Sequence, residues 1–189
     1  MTKSELRKLY KEKRKSISYS EKLKLDDLML LQFQQLYFET GVTLFSYLPM
    51  EDLNEPNTFI FSSFLNYQIP ELQIAYPKVD FESNTMQAIA INDDTVYVSN
   101  KFGTDEPKDG KLIKPLDVDI VFVPLLVCDI QGYRVGYGKG FYDKYLAQCK
   151  DEAIFIGLNY FEPLDKIEDV DEFDIPLNYC ITPHNIYEF

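Results

Sequence analysis

Residues 120–127 read Ile-Val-Phe-Val-Pro-Leu-Leu-Val, and residues 132–143 read Gly-Tyr-Arg-Val-Gly-Tyr-Gly-Lys-Gly-Phe-Tyr-Asp. The first run is strongly apolar, which predicts a strand over 120–127 covered on both faces, as strands of a parallel sheet are. The second carries three alternate glycines and leads into a helix predicted over 141–149. A strand, a glycine-rich turn and a helix in that order form the repeating unit of a sheet with helices on its faces.

The same alternation runs outward along the chain. Thr2 and Glu5 have capping-box spacing and open a first helix. In it Leu6, Leu9 and Ile17 fall on one side, while Lys3, Arg7, Tyr10 and Arg14 share a stripe roughly 60° wide on another. Ser18 and Glu21 open a second helix, predicted to end near Gly41, with Leu28 and Leu31 facing the core. Strands are predicted over 42–48, 73–76, 86–91, 95–98, 153–158 and 179–181, with a helix over 59–65. Residues 105–115 and 165–174 read as loops. The expected fold is therefore α/β, a three-layer α/β/α Rossmann-like arrangement with a largely parallel sheet, in a single domain spanning 1–189.

Hydrophobic residues make up 46% of the 189-residue chain and aromatics 15%, enough to build one substantial core. The formal charge of −12 argues against a nucleic-acid partner. Yet residues 1–15 hold seven cations against Glu5 and Glu12, which suits a small anion docking near that end. Cys128, Cys149 and Cys180 show neither disulfide nor zinc spacing. The charged opening lacks the apolar region of a signal peptide, and no run of about 18 apolar residues follows. A cytoplasmic protein with no membrane partner is expected, and a monomer.

Chemistry concentrates in the glycine-rich stretch. Glycines at 136, 138 and 140 let backbone pass close to an anion, and the helix start that follows offers N–H groups to phosphate. Arg134 and Lys139 add positive charge, and Asp143 has the chemistry to hold a metal ion. The spacing is neither G-x-x-x-x-G-K-[ST], since no Ser or Thr follows Lys139, nor G-x-G-x-x-G, since position 141 is Phe. With His184 the only histidine, no Ser-His-Asp or Cys-His arrangement can be built.

The run Arg134-Val-Gly-Tyr-Gly-Lys-Gly-Phe-Tyr-Asp143, with Pro124 upstream and Gly132 in the turn, resembles the R-[LV]-G-x-G-x-G-[YF]-Y-D signature of the 5-formyltetrahydrofolate cyclo-ligases. The resemblance extends across nearly the whole chain, through a K-x-x-[LI]-R pattern at Lys3, Leu6 and Arg7 and a segment from Tyr47-Leu-Pro-Met50 to Glu55. It continues through a turn at Pro77 and Lys78, Glu106-Pro107 within 103–107, and Asp174-Ile-Pro.

That resemblance implies ATP binding by Lys3, Ser4, Glu5, Leu6 and Arg7 and by Arg134, Val135, Gly136, Tyr137, Gly138, Lys139, Gly140, Phe141 and Tyr142. It implies folate contacts from Met50, Glu55 and Phe102 and from Tyr137, Gly138, Lys139, Gly140 and Phe141. Asp143 and Asp174 would hold Mg2+, and Arg134 and Lys139 would be catalytic. Phe173 and Asn178 stand where His and Asp are common around Asp174. The implied reaction converts 5-formyltetrahydrofolate and ATP into 5,10-methenyltetrahydrofolate, ADP and phosphate. Alternatives from the sequence are a sugar-phosphate or acyl-transfer enzyme on a related sheet, and a non-catalytic folate- or nucleotide-binding regulator.

Overall fold

The computed structural model describes residues 1–38, 42–101 and 103–189. Helices α1 (Lys3–Lys15) and α2 (Tyr19–Phe33) are followed by strand β1 (Thr43–Phe45), helix α3 (Thr58–Gln68) and strands β2 (Gln73–Asp80) and β3 (Thr85–Ala90). Strands β4 (Tyr97–Ser99), β5 (Asp105–Pro107), β6 (Leu112–Ile113), β7 (Ile120–Val123), β8 (Val127–Cys128) and β9 (Arg134–Val135) lead to helix α4 (Phe141–Leu146). The chain closes with β10 (Ile154–Leu158), β11 (Tyr179–Ile181) and β12 (Ile186–Glu188).

Eight strands form one sheet in the order β12-β11-β10-β7-β1-β2-β3-β6. Its centre, β11-β10-β7-β1-β2, is parallel, and β12, β3 and β6 are antiparallel at the two edges. From β1 the chain winds through α3 to β2, and from β7 it winds through α4 to β10 on the other side. Adjacent strands β1 and β7 thus mark the point where winding reverses, and the loops leaving their carboxyl ends part there to form a crevice.

Side chains alternate across the sheet as strand geometry requires. Leu44, Ile120, Phe122 and Ile156 pack against Met29, Phe33, Phe61 and Leu65 of α2 and α3. Phe45, Val121 and Val123 pack against Tyr145 and Leu146 of α4 on the opposite face. The expected three-layer α/β/α arrangement with a mostly parallel sheet is what the chain adopts.

Several sequence-based boundaries need correction. The apolar run 120–127 is not one strand. β7 stops at Val123, because Pro124 has no N–H for the ladder, and β8 then leaves to pair antiparallel with β9. Strand β2 passes straight through Pro77 and Lys78, which form no turn. The expected loop 105–115 contains β5 and β6, while β12 at the sheet edge was not anticipated.

Helix α2 ends at Phe33, well before Gly41, which lies outside the described residues. Its buried face is Asp26, Met29 and Phe33, whereas Leu28 and Leu31 are 38% and 59% exposed. The cause is polar: Asp26 accepts hydrogen bonds from Tyr160 Oη (2.7 Å), Lys22 Nζ (2.8 Å) and the Asn57 amide (3.3 Å), which fixes the rotation of the helix. A carboxylate inside the buried stripe hides that stripe from an apolar pattern.

Phe33 lies edge-on to Phe61, Phe64 and Phe122 at centroid distances of 5.3, 6.1 and 5.8 Å. Phe33→Ala should therefore cost about 3–5 kcal/mol in urea unfolding, and Leu31→Ala within about 0.5 kcal/mol. Equal losses at the two positions would contradict the orientation of α2.

Candidate active site

The crevice at β1 and β7 opens into a cavity of about 980 Å³. Its walls come from α1, from the segment after β1, from β2, β3 and β5, from the glycine-rich loop between β9 and α4, and from residues 171–175. The loop is shaped by two residues in backbone conformations that side chains rarely adopt. Gly138 has φ +83° and Gly140 φ +69°, and a Cβ at Gly138 would sit 3.0 Å from the Arg7 guanidinium carbon. At Gly136 a Cβ would come no closer than 3.8 Å to any neighbour, so the fold itself does not require glycine there.

Cations converge on the loop. Arg7 Nε donates to the Gly136 carbonyl at 2.9 Å, and Lys11 Nζ stands 5.5 Å from the Tyr137 ring centroid. Arg134 is buried, forms an ion pair with Asp143 at 2.7 Å and donates to the Ile175 carbonyl. Burial works against the guanidinium charge and lowers its pKa from the ordinary value, while Asp143 offsets this. Lys3 Nζ pairs with Asp174, whose Oδ2 also accepts the Asp171 amide at 2.7 Å.

A second network lies beneath. Arg14 is 2% exposed and donates to the carbonyls of Leu53 (2.8 Å) and Leu125 (3.0 Å) and to the Tyr137 hydroxyl. That hydroxyl donates in turn to Glu55 Oε1, while Glu55 Oε2 accepts the Met50 amide at 2.7 Å. Glu55 is equally buried, 3.9 Å from Arg14. Desolvation raises its carboxyl pKa above the ordinary value, with Arg14 pulling the other way.

The chemistry of the donor set bears on a metal ion. Asp143 Oδ1 accepts from Arg134 and the Ile175 amide, and Asp174 Oδ2 from Lys3 and the Asp171 amide. The remaining oxygen of each takes no hydrogen bond from a described residue, and both aspartates line the cavity. No cluster of three or more metal-ligating side chains exists among the described residues. Two hard oxygen donors suit magnesium, which keeps several waters and completes its shell with substrate phosphates.

A family model described as the 5-formyltetrahydrofolate cyclo-ligase family matches residues 1–183. The chain belongs to the 5-formyltetrahydrofolate cyclo-ligase family. It is 27% identical over 183 residues to the 5-formyltetrahydrofolate cyclo-ligase of Mycoplasma pneumoniae, covering 96% of this chain and 98% of that one. Among solved structures it is similar to the 5,10-methenyltetrahydrofolate synthetase of Aquifex aeolicus, with TM-score 0.81 and 30% identity over 100% of this chain and 93% of that one. A second similar structure is the 5,10-methenyltetrahydrofolate synthetase of Mycoplasma pneumoniae, at TM-score 0.73 and 25% identity over 97% and 100% of the two chains.

Of the residues singled out in this cyclo-ligase sequence, Lys3, Arg7, Met50, Glu55, Arg134, Asp143, Asp174 and all of 136–142 line the one cavity. Ser4, Glu5, Leu6 and Val135 do not. Glu5 closes the capping box with Thr2, and Leu6 and Val135 share a buried cluster with Leu126. Phe102 lies outside the described residues. Asn178 is engaged in the sheet, accepting the Phe155 amide at 2.7 Å, and Phe173 borders the cavity though 74% exposed. Within the predicted basic stripe, Tyr10 turns away to pack on Phe161. Lys11, four residues after Arg7, takes a place on the cavity wall that the 3, 7, 11 spacing would have shown. Glu106 lines the cavity too; the resemblance ran through Glu106-Pro107 but gave that residue no role.

Removing Arg14 leaves Glu55 as a buried charge without its cation. Arg14→Leu should cost about 3–5 kcal/mol near neutral pH, and a further Glu55→Gln change should recover part of it. With its folded-state pKa raised, Glu55 favours the fold below its ordinary 4.5 and ceases to do so as pH rises through the folded value. The Arg14→Leu deficit in urea unfolding should hence shrink as pH falls toward 4.5, and a deficit independent of pH would contradict this coupling.

Proposed function

We propose that this protein closes 5-formyltetrahydrofolate to 5,10-methenyltetrahydrofolate with consumption of ATP and release of ADP and phosphate. The observation that carries the reading is that the cations of α1, the glycine-rich loop, Asp143, Asp174 and the pair Met50 and Glu55 all border one cavity. A nucleotide triphosphate and a folate can meet only where both sets of groups are within reach.

A formamide carbonyl is a weak electrophile, so its oxygen first attacks the γ-phosphorus and ADP leaves. The N10 amine then adds to the activated carbon, loses its proton, and the formyl oxygen departs as phosphate. No protein nucleophile is required, in keeping with a cavity wall that offers cations and backbone rather than an acid–base dyad. Lys3, Arg7 and Lys11 hold the phosphates from the α1 side, and Arg134 and Lys139 stabilise the charge that grows on the transferring group. Asp143 and Asp174 would hold Mg2+, which supplies neutralisation of phosphate oxygens when bound. Met50, Val79, Met86 and Phe141 give the pterin apolar surface.

The reading is tested by the absorbance of methenyltetrahydrofolate appearing from 5-formyltetrahydrofolate with ATP and magnesium, lost on chelation. Lys139→Ala should lower turnover about a hundred- to a thousandfold, while equilibrium ATP binding changes far less, the pattern of a contact stronger in the transition state. Turnover close to wild type would remove Lys139 from catalysis.

A further inference from the structure

The cavity has two chemically distinct ends. One is built by α1, the glycine-rich loop and residues 171–175, where Lys3, Arg7, Arg134, Asp143 and Asp174 gather. The other is built by β2, β3 and β5, where Val79 pairs with Met86 across the ladder and the surface is apolar. Two carboxylates of β5 reach that end: Asp105, which is exposed and accepts from the Ser99 hydroxyl, and Glu106, which is only 9% exposed.

The hydrogen-bond capacities of the cavity's two buried glutamates differ. Glu55 has both oxygens engaged, by the Met50 amide and the Tyr137 hydroxyl, with Arg14 beside it. Glu106 has two donors, the Val79 amide at 3.2 Å and Asn100 Nδ2 at 3.1 Å, and both fall on Oε2. Its Oε1 accepts nothing from a described residue, and Glu106 forms no ion pair among them. A carboxylate carries about four acceptor sites, so the pair on Oε1 remains for a ligand. The two bonds to Oε2 hold the side chain in one orientation before any ligand arrives.

We infer that Glu106 recognises the donor edge of the pterin, its N3 hydrogen and 2-amino group, through Oε1. The inference rests on the folate reading above and assigns the substrate's orientation within it. The pyrimidinone half of the reduced pterin is flat, with apolar faces suited to Val79 and Met86, and its N3 and 2-amino hydrogens point the same way from one edge. A fixed carboxylate oxygen at an apolar wall matches that edge and repels the acceptor edge of a ring turned over. Closing the cavity over an unpaired carboxylate is costly, so a ring lacking the donors is rejected as well as poorly held. With the donor edge at Glu106, the other side of the ring system, which carries the formyl group, is directed toward the cationic end.

The experiment compares 5-formyltetrahydrofolate with its 2-desamino-2-methyl analogue on the wild-type protein and on Glu106→Gln, with melting temperature as the folding control. On the wild type the analogue should show a KM about ten- to a hundredfold higher. Glu106→Gln should raise KM for the natural substrate by a similar factor, leave KM for ATP unchanged, and discriminate far less between the two folates. Should Glu106→Gln unfold early, the wild-type comparison decides alone, and equal KM values for the two folates overturn the inference. Wild-type turnover with a Glu106→Gln protein that still discriminates fully also overturns it and leaves the folate reading intact. Absence of methenyltetrahydrofolate from the wild type itself would instead overturn the folate reading.

Discussion

The guanidinium of Arg14 ties three parts of the chain at one buried point: helix α1 that carries it, the segment after β1 through Leu53, and the segment after β7 through Leu125. A cation taken out of water is tolerated only where acceptors replace the lost hydration, and here two carbonyls, a phenol and a nearby carboxylate do so. The relative position of the glycine-rich loop and the Met50 to Glu55 segment follows from that junction, since Tyr137 belongs to the first and Glu55 to the second. Arg7, two turns earlier on the same helix, braces the loop by lying so close to Gly138 that a Cβ there would meet its guanidinium at 3.0 Å.

Above this joint the cavity gathers cations in a chain of net charge −12 without leaving them loose. Lys3 is held by Asp174 and Arg134 by Asp143, so the cations proposed to meet phosphate are positioned by the carboxylates that suit a metal ion. Each carboxylate has one oxygen that takes no hydrogen bond from a described residue, and so can turn to a cation without releasing its partner. In the proposed reaction, such prior placement would lower the reorganisation needed when charge develops during transfer.

Much of this was legible in the sequence because it follows from local rules. The capping box of α1, the Ser18 cap of α2, the alternation of strands and helices and the glycine-rich loop are short-range patterns, and the resemblance to the cyclo-ligases ran through the same residues. What stayed hidden depends on contacts between distant residues. Arg14 reads as one more cation on a basic stripe, and only its buried acceptors from Leu53 and Leu125 show that it is structural. Asp26 reads as surface until Tyr160 and Asn57 are placed around it, and its burial turned α2 away from the face that Leu28 and Leu31 suggested. Pro124 alone could have shown that the apolar run 120–127 breaks, since a proline inside a central strand argues against the strand continuing.

Helix α1 also bears on how the molecule comes together in time. Its ties to the cavity join residues 111, 129 and 171 positions apart, from Arg14 to Leu125, Arg7 to Gly136 and Lys3 to Asp174. Contacts of such high sequence separation form slowly, because a long loop must close before they are rewarded. The strand pairs β2 with β3 and β11 with β12 are local and have no such delay. During synthesis the first helix is made long before its partners, and the basic wall of the cavity has nothing to grip until the chain through Asp174 has left the ribosome. The site is thus completed late, by the docking of an element translated well before its partners.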